Sequence, residues 1–179
     1  MNSLRCLLLI CLLSSCGWES VEPDKLVLPP VTRTGQETFG CFVNNEIWAA
    51  NGGPGCWNCG PNPKARTDGN HRIVYFGARN EHEEQIAQNI NFTFFANNNF
   101  EVNKAIDFGN ADSTYLRLVF RDELTGCYLE SDSLTEGSLT VTRFDTDAGI
   151  LSGTFEAELM GECDTIVIND GRFDLTFRP

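Results

Sequence analysis

Apolar and polar residues alternate with a period of two through most of the chain from Thr38 onward. Ile90, Phe92 and Phe94 fall on one side of a run whose other side is Asn89, Asn91 and Thr93. Leu116, Leu118 and Phe120 oppose Tyr115, Arg117 and Val119, and Phe155, Ala157 and Leu159 oppose Thr154, Glu156 and Glu158. Near the end, Phe173, Leu175 and Phe177 oppose Arg172, Asp174 and Thr176. Side chains of a strand point alternately to its two faces, so each run predicts a strand with one face in the core and one in water. The predicted strands are 38–43, 46–50, 72–78, 86–96, 114–120, 138–144, 150–159 and 165–177, with Asn44-Asn45 as a tight hairpin turn. A stretch at 98–106 is read as room for one helical turn, and no other run has helical spacing. A single wet face per strand is the mark of antiparallel sheet, because parallel sheets are covered on both sides. Turn residues between short runs then predict an all-β domain, an antiparallel β-sandwich or barrel. Gly153 and Gly171 interrupt long runs and predict bulges or close backbone approach.

The first sixteen residues follow a different rule. Arg5 precedes an apolar run, Leu7–Leu13, which is too short for a spanning helix. Ser14, Ser15 and Cys16 follow, and LLSSC is similar to a lipobox, in which small residues admit a peptidase and the thiol accepts a diacylglyceryl group. The expectation is a signal peptide over 1–15 and lipidation at Cys16, a membrane anchor stronger than one acyl chain provides. Residues 16–36, with three Pro and no periodicity, are read as a flexible, disordered tether, and 37–179 as a single domain. Gly17 rather than Asp follows the lipid cysteine, and Glu19, Glu22 and Asp24 make the tether acidic. The first departs from the inner-membrane retention signal and so points to the outer membrane; the second resembles the acidic stretch that sends some lipoproteins on to the cell surface, and the face of the membrane is left open.

Charge narrows the partners. The formal net charge is −12, and loss of the leader removes Arg5 and no acid. Such a chain repels phosphate backbones, so nucleic acid is not an expected partner. With 41% hydrophobic residues and 13 Phe, the composition supports a packed core.

TFGCFVNNEIWAA at 38–50, LTVTRFDTDAGILSGTFEAEL at 139–159 and TIVINDGRFDLTF at 165–177 carry a resemblance to an uncharacterised family of Bacteroidota lipoproteins. The match lies in the TFGC opening, the SGTF strand and the closing GRFD strand, and residues 52–122 match poorly. The resemblance implies an anchored envelope location and the all-β fold, and it brings no activity.

After the leader and Cys16, five cysteines remain: Cys41, Cys56, Cys59, Cys127 and Cys163. An exported chain predicts disulfides among them, with one thiol left over. Cys127 follows Gly126 and Cys163 lies two residues after Gly161, each near a strand end, and they are the favoured pair; Cys41 with Cys56 or Cys59 is the second. The C-W-N-C motif at 56–59 lies between Gly and Pro residues that prevent a helix from starting there. A redox role is thereby disfavoured relative to stapling a long Gly-rich loop, and a zinc site would need two further thiolates. Trp57 in this loop is either an exposed ligand contact or a local packing residue. Asp145 and Asp147, followed by Gly149, have the alternation of a calcium loop, against the plainer reading of an Asp-rich hairpin turn. Calcium is the one cofactor suggested. The two histidines, His71 and His82, form no catalytic set by spacing, and no G-x-S-x-G elbow is present, so an enzyme is not the expectation. The sequence thus favours a lipid-anchored binding or structural β-module meeting a glycan or protein. A polysaccharide hydrolase with convergent acids and a small-ligand barrel are the alternatives.

Overall fold

The computed structural model describes residues 27–50, 64–68, 70, 73–82, 86–96, 100–108, 115–132 and 134–177. Eleven strands are present among them: β1 Thr38–Val43, β2 Glu46–Ala49, β3 Lys64–Thr67, β4 Ile73–His82, β5 Ile86–Phe95, β6 Ala105–Asp107, β7 Leu116–Asp122, β8 Tyr128–Glu130, β9 Glu136–Asp145, β10 Ile150–Met160 and β11 Thr165–Thr176. They form two antiparallel sheets. One is six-stranded, in the order β2-β1-β11-β10-β9-β6, and the other five-stranded, in the order β3-β4-β5-β7-β8. The sheets pack face to face as a sandwich, which settles the choice between sandwich and barrel.

The alternation read from the sequence sets which faces meet. Phe76 of β4 lies 4.4 Å from Phe173 of β11 and Phe92 of β5 lies 4.9 Å from Phe155 of β10, ring centroid to centroid. Phe39, Phe94, Leu118, Phe120, Leu139, Leu151 and Leu175 complete the layer, each at most 2% exposed. Each such side chain contributes roughly 1.5–3 kcal/mol by leaving water. Aromatic rings need room, and glycines supply it. A Cβ at Gly153 would stand 2.6 Å from Phe173 Cζ, and one at Gly171 would stand 2.4 Å from Phe155 Cδ2. Ladder shifts adjoin both positions, between Ser152 and Gly153 and between Phe155 and Ala157, as the glycine pattern predicted. The Asn44-Asn45 turn joins β1 to β2 with φ of 49° and 68°, the positive values a two-residue hairpin requires.

Several expectations change. The stretch around 98–106 carries a turn at Val102-Asn103 and then the short strand β6, with no helix among the described residues. β4 runs on through His82, beyond the end expected at Ala78. The stretch read as tether is bound to the domain from Pro29 onward. Asp174 accepts hydrogen bonds from Thr32 Oγ1 at 2.6 Å and from the amides of Thr34, Gly35 and Gln36 at 2.9, 2.8 and 3.2 Å. Ser152 Oγ donates to the same carboxylate at 2.6 Å. Arg172 donates to the Pro29 carbonyl, Arg143 to the Arg33 carbonyl, and the Glu37 carboxylate accepts from Thr176. Residues 29–36, expected to be flexible, are thus fastened along the six-stranded sheet. Asp174, expected on a wet face, is 1% exposed because this lead-in covers it. Burial pushes its carboxyl up, but the donors from Ser152, Thr32, Thr34 and Gly35 outweigh burial and hold it at about 2.

Cys127 and Cys163 are joined by a disulfide with Cα atoms 5.6 Å apart, as their neighbours suggested. Cys41 departs from expectation: it is a free thiol, fully buried, on the inward face of β1 opposite Trp48. Its side chain points into the sandwich, and burial pushes the thiol far above its ordinary range, so it stays protonated and inert. Cys16, Cys56, Cys59, Trp57 and His71 lie outside the described residues.

Candidate functional site

Asp145 and Asp147 sit at the β9–β10 turn, and the geometry is that of the hairpin reading. One Asp145 oxygen accepts from the Ala148 amide at 2.8 Å and the other from Arg143 Nη2 at 2.8 Å. Glu156, the twelfth position of the supposed loop, pairs with Ser138 inside the sheet, whereas Asp145 pairs with Ile150 at the turn. The strand carries them apart. Among the described residues no cluster of three His, Cys, Asp or Glu is placed to hold a metal ion.

A cleft of about 440 Å³ opens at the end of the sandwich beside the Cys127–Cys163 bridge, with Trp48 and Phe120 in its wall and Glu46, Asp122 and Asp164 around it. Two of these acids are engaged by backbone and neighbours. Asp122 accepts from the amides of Leu124 and Thr125 at 2.9 and 3.2 Å and from Gln88 Nε2 at 3.1 Å. Asp164 accepts from the Thr165 amide at 2.7 Å. These carboxylates shape turns, an ordinary structural use of Asp.

The outer face of the five-stranded sheet is different. Inward positions of β4, β5 and β7 hold Val74, Phe76, Ile90, Phe92, Phe94, Leu118 and Phe120, so the intervening residues point outward. The register lines them up in rows across the strands. Ile73 pairs with Phe95, and Tyr115 packs on Phe95 edge to face at 5.4 Å. The next row is Arg66, Tyr75, Thr93 and Arg117. Beyond it lie Lys64, Gly77, Asn91, Val119 and Glu130, and then Arg79, Asn89, Arg121 and Tyr128. Ile73, Tyr75, Thr93, Phe95, Tyr115 and Arg117 line an open depression of about 660 Å³.

The side chains on this face are pre-positioned. The Arg66 guanidinium lies over the Tyr75 ring, 4.9 Å from its centroid. Arg117 holds Glu130 with a two-pronged contact, Nε to Oε1 at 2.5 Å and Nη2 to Oε2 at 2.6 Å. Tyr128 OH donates to Glu130 at 2.9 Å and accepts from Arg117 at 3.1 Å. The hydrogen bond from Arg117 holds the Glu130 carboxyl below its usual range, and the hydrogen bond to Glu130 raises the Tyr128 phenol. Tyr115 and Tyr128 remain 55% and 53% exposed, which leaves ring surface free for a partner. Large aromatics on the wet face of a sheet are the informative exception to the rule that such residues are inside.

None of these residues was singled out from the sequence as a site. Their signal was present in the strand pattern, since Tyr115 and Arg117 occupy the outward positions of a strand whose inward positions are Leu and Phe. Their assembly with Tyr75, Phe95 and Tyr128 depends on register across four strands, which periodicity does not give. Compared with known proteins, the chain matches no family model, no curated protein and no solved structure.

Proposed function

We propose that this chain is a lipid-anchored envelope protein at the outer membrane or cell surface, and that its sandwich binds saccharide chains through the outer face of the five-stranded sheet. The observation that carries the binding part is the cluster of outward aromatics lining one depression, Phe95 and Tyr115 in one row and Tyr75, with Arg66 over its ring, in the next. Pyranose rings present apolar C–H faces and a rim of hydroxyls. A flat aromatic platform edged with Arg, Asn and Thr offers stacking to the first and hydrogen bonds to the second. A saccharide fits better than a protein knob, because the depression is shallow and broad and its polar groups are spread along the strands. The order of Arg5, apolar run, small pair and Cys16 supports the anchor. Hydrolysis is the weaker reading, since two of the three acids around the cleft, Asp122 and Asp164, are tied to backbone amides and Glu130 is tied to Arg117. The carrier reading suffers from the Phe rings that pack between the sheets.

Two measurements on the full-length protein test this. Replacing Cys16 by Ala should release the protein from the membrane fraction, and a variant that still sediments with membranes defeats the anchor. Affinity electrophoresis through gels containing polysaccharides should show retardation by at least one polymer. Tyr115→Ala and Tyr75→Ala should each weaken it about tenfold, the scale of one lost ring contact. Retardation unchanged in both variants removes the sheet face from the reading.

A further inference from the structure

The outer face of the five-stranded sheet is also where the positive charge of an acidic molecule collects. Lys64, Arg66, Arg79, Arg117 and Arg121 all project from it, five of the chain's 13 basic residues. Two carboxylates pair with these cations, Glu130 with Arg117 and Glu123 with Arg79, the latter at 3.2 Å. Asp68, which accepts from the Ile73 amide, and the Glu81 position of β4 lie at the edges of the same face. Lys64, Arg66 and Arg121 are left without an ion pair among the described residues, and Arg66 and Arg121 are exposed. They stand on two strands, Lys64 and Arg66 on β3 beside the aromatic depression and Arg121 further along β7, with the amides of Asn89 and Asn91 on β5 between them. On the opposite sheet β10 turns Glu156 and Glu158 outward, and the arginines of that side, Arg143 and Arg172, are engaged by the lead-in carbonyls.

We infer that the saccharide bound on this face is an acidic one, a polysaccharide carrying carboxylate or sulfate groups, with Lys64, Arg66 and Arg121 reading its anions while Tyr75, Phe95 and Tyr115 stack on its rings. This rests on the saccharide reading above and adds the charge class to it. Guanidinium groups suit planar oxyanions because they can present two parallel N–H donors. A dense polyanion fits less well. Duplex nucleic acid carries about one charge per 1.7 Å, and a chain of net charge −12 opposes its approach overall. A polymer with its charges spaced a sugar ring or more apart meets these three cations without that penalty.

The test compares one polymer backbone with and without its charge. Full-length protein is titrated with polygalacturonate and with its fully methyl-esterified form, and separately with alginate and carboxyl-reduced alginate. At least one acidic form should bind tenfold or more tightly than its neutral counterpart, and that binding should weaken steadily as salt is raised. Arg121→Gln and Arg66→Gln should each reduce it at least threefold, while Lys104→Gln, away from this face, should leave it unchanged. Equal binding of charged and neutral forms overturns the acidic class and leaves the saccharide reading standing. No binding to any of the four, together with no retardation by any polysaccharide, overturns both. Duplex DNA or anionic lipid vesicles binding as tightly as the acidic glycan, with the same loss in Arg121→Gln, also overturns the inference by showing an unselective polyanion patch.

Discussion

The two sheets begin from the same pattern, alternating apolar and polar positions, and end with opposite outer faces. The six-stranded sheet is roofed by the chain's own lead-in. Thr32, Thr34, Gly35 and Gln36 converge on Asp174, and Pro29 lies against Gly40, where an added Cβ would stand 2.6 Å from Pro29 Cδ. Among the described residues no such layer covers Phe95 and Tyr115 on the five-stranded sheet, the latter more than half exposed, and Tyr75 carries only the Arg66 guanidinium over its ring. The difference teaches that a polar stripe along a strand marks what is not core, and nothing more. A carboxylate in that stripe can be buried by a later layer, and an aromatic ring in it can be left for a partner.

Removing the carboxylate at the centre of the roof should have the largest effect. Asp174→Ala leaves four donors from the lead-in and one from Ser152 without their acceptor, and a cost of about 3 kcal/mol is expected, since hydrogen bonds to a charged group are the strong ones. In a domain of this size that lowers the melting temperature by about 10 °C, readable by calorimetry. A change below about 1 kcal/mol would mean that the roof is not held at this point. A subtler contrast comes from pH. The folded carboxyl of Asp174 sits at about 2, below the unfolded value of about 3.9. Its contribution is therefore complete above about pH 4 and is lost as pH falls towards 2. Asp174→Asn should be less stable than wild type at neutral pH, and the gap should close between about pH 4 and 2 in denaturant titrations. A gap that stays constant across that window refutes the assigned carboxyl. The open face should give the smallest response. Arg117→Ala breaks an exposed pair with Glu130, for which about 1 kcal/mol or less is expected, diminishing with salt. A loss comparable to that of Asp174→Ala would show that the two faces are equally structural.

Much of the fold was legible because Phe, Leu and Ile recur at every second position over long runs. β5, β7, β10 and β11 were marked by rings and branched chains that can only sit on one face. The Asn-Asn turn, the two glycines beside ladder shifts and the Cys127–Cys163 pair were also readable, each from a local chemical requirement. The missed strands β3, β6 and β8 have four, three and three residues, too few to establish a period. Cys41 was assigned to a bridge on composition, whereas its fate was decided by parity: it occupies an inward position of β1, in the layer with Phe39 and Trp48. The Asp174 cluster joins residues about 140 positions apart, and no local signal announces such a contact. The aromatic and basic face was the least legible, because its members come from five strands and only their register makes them neighbours.

The fastening of residues 29–36 has a mechanical consequence. A pull applied at residue 27 and resisted by a load on the five-stranded sheet must cross the whole thickness of the sandwich. It meets the Arg172–Pro29 contact first, then the ring of donors around Asp174, and only afterwards the β1–β11 ladder. Under such tension the few hydrogen bonds of the lead-in are loaded before the longer ladder, so residues 29–36 would lengthen the chain ahead of any core strand.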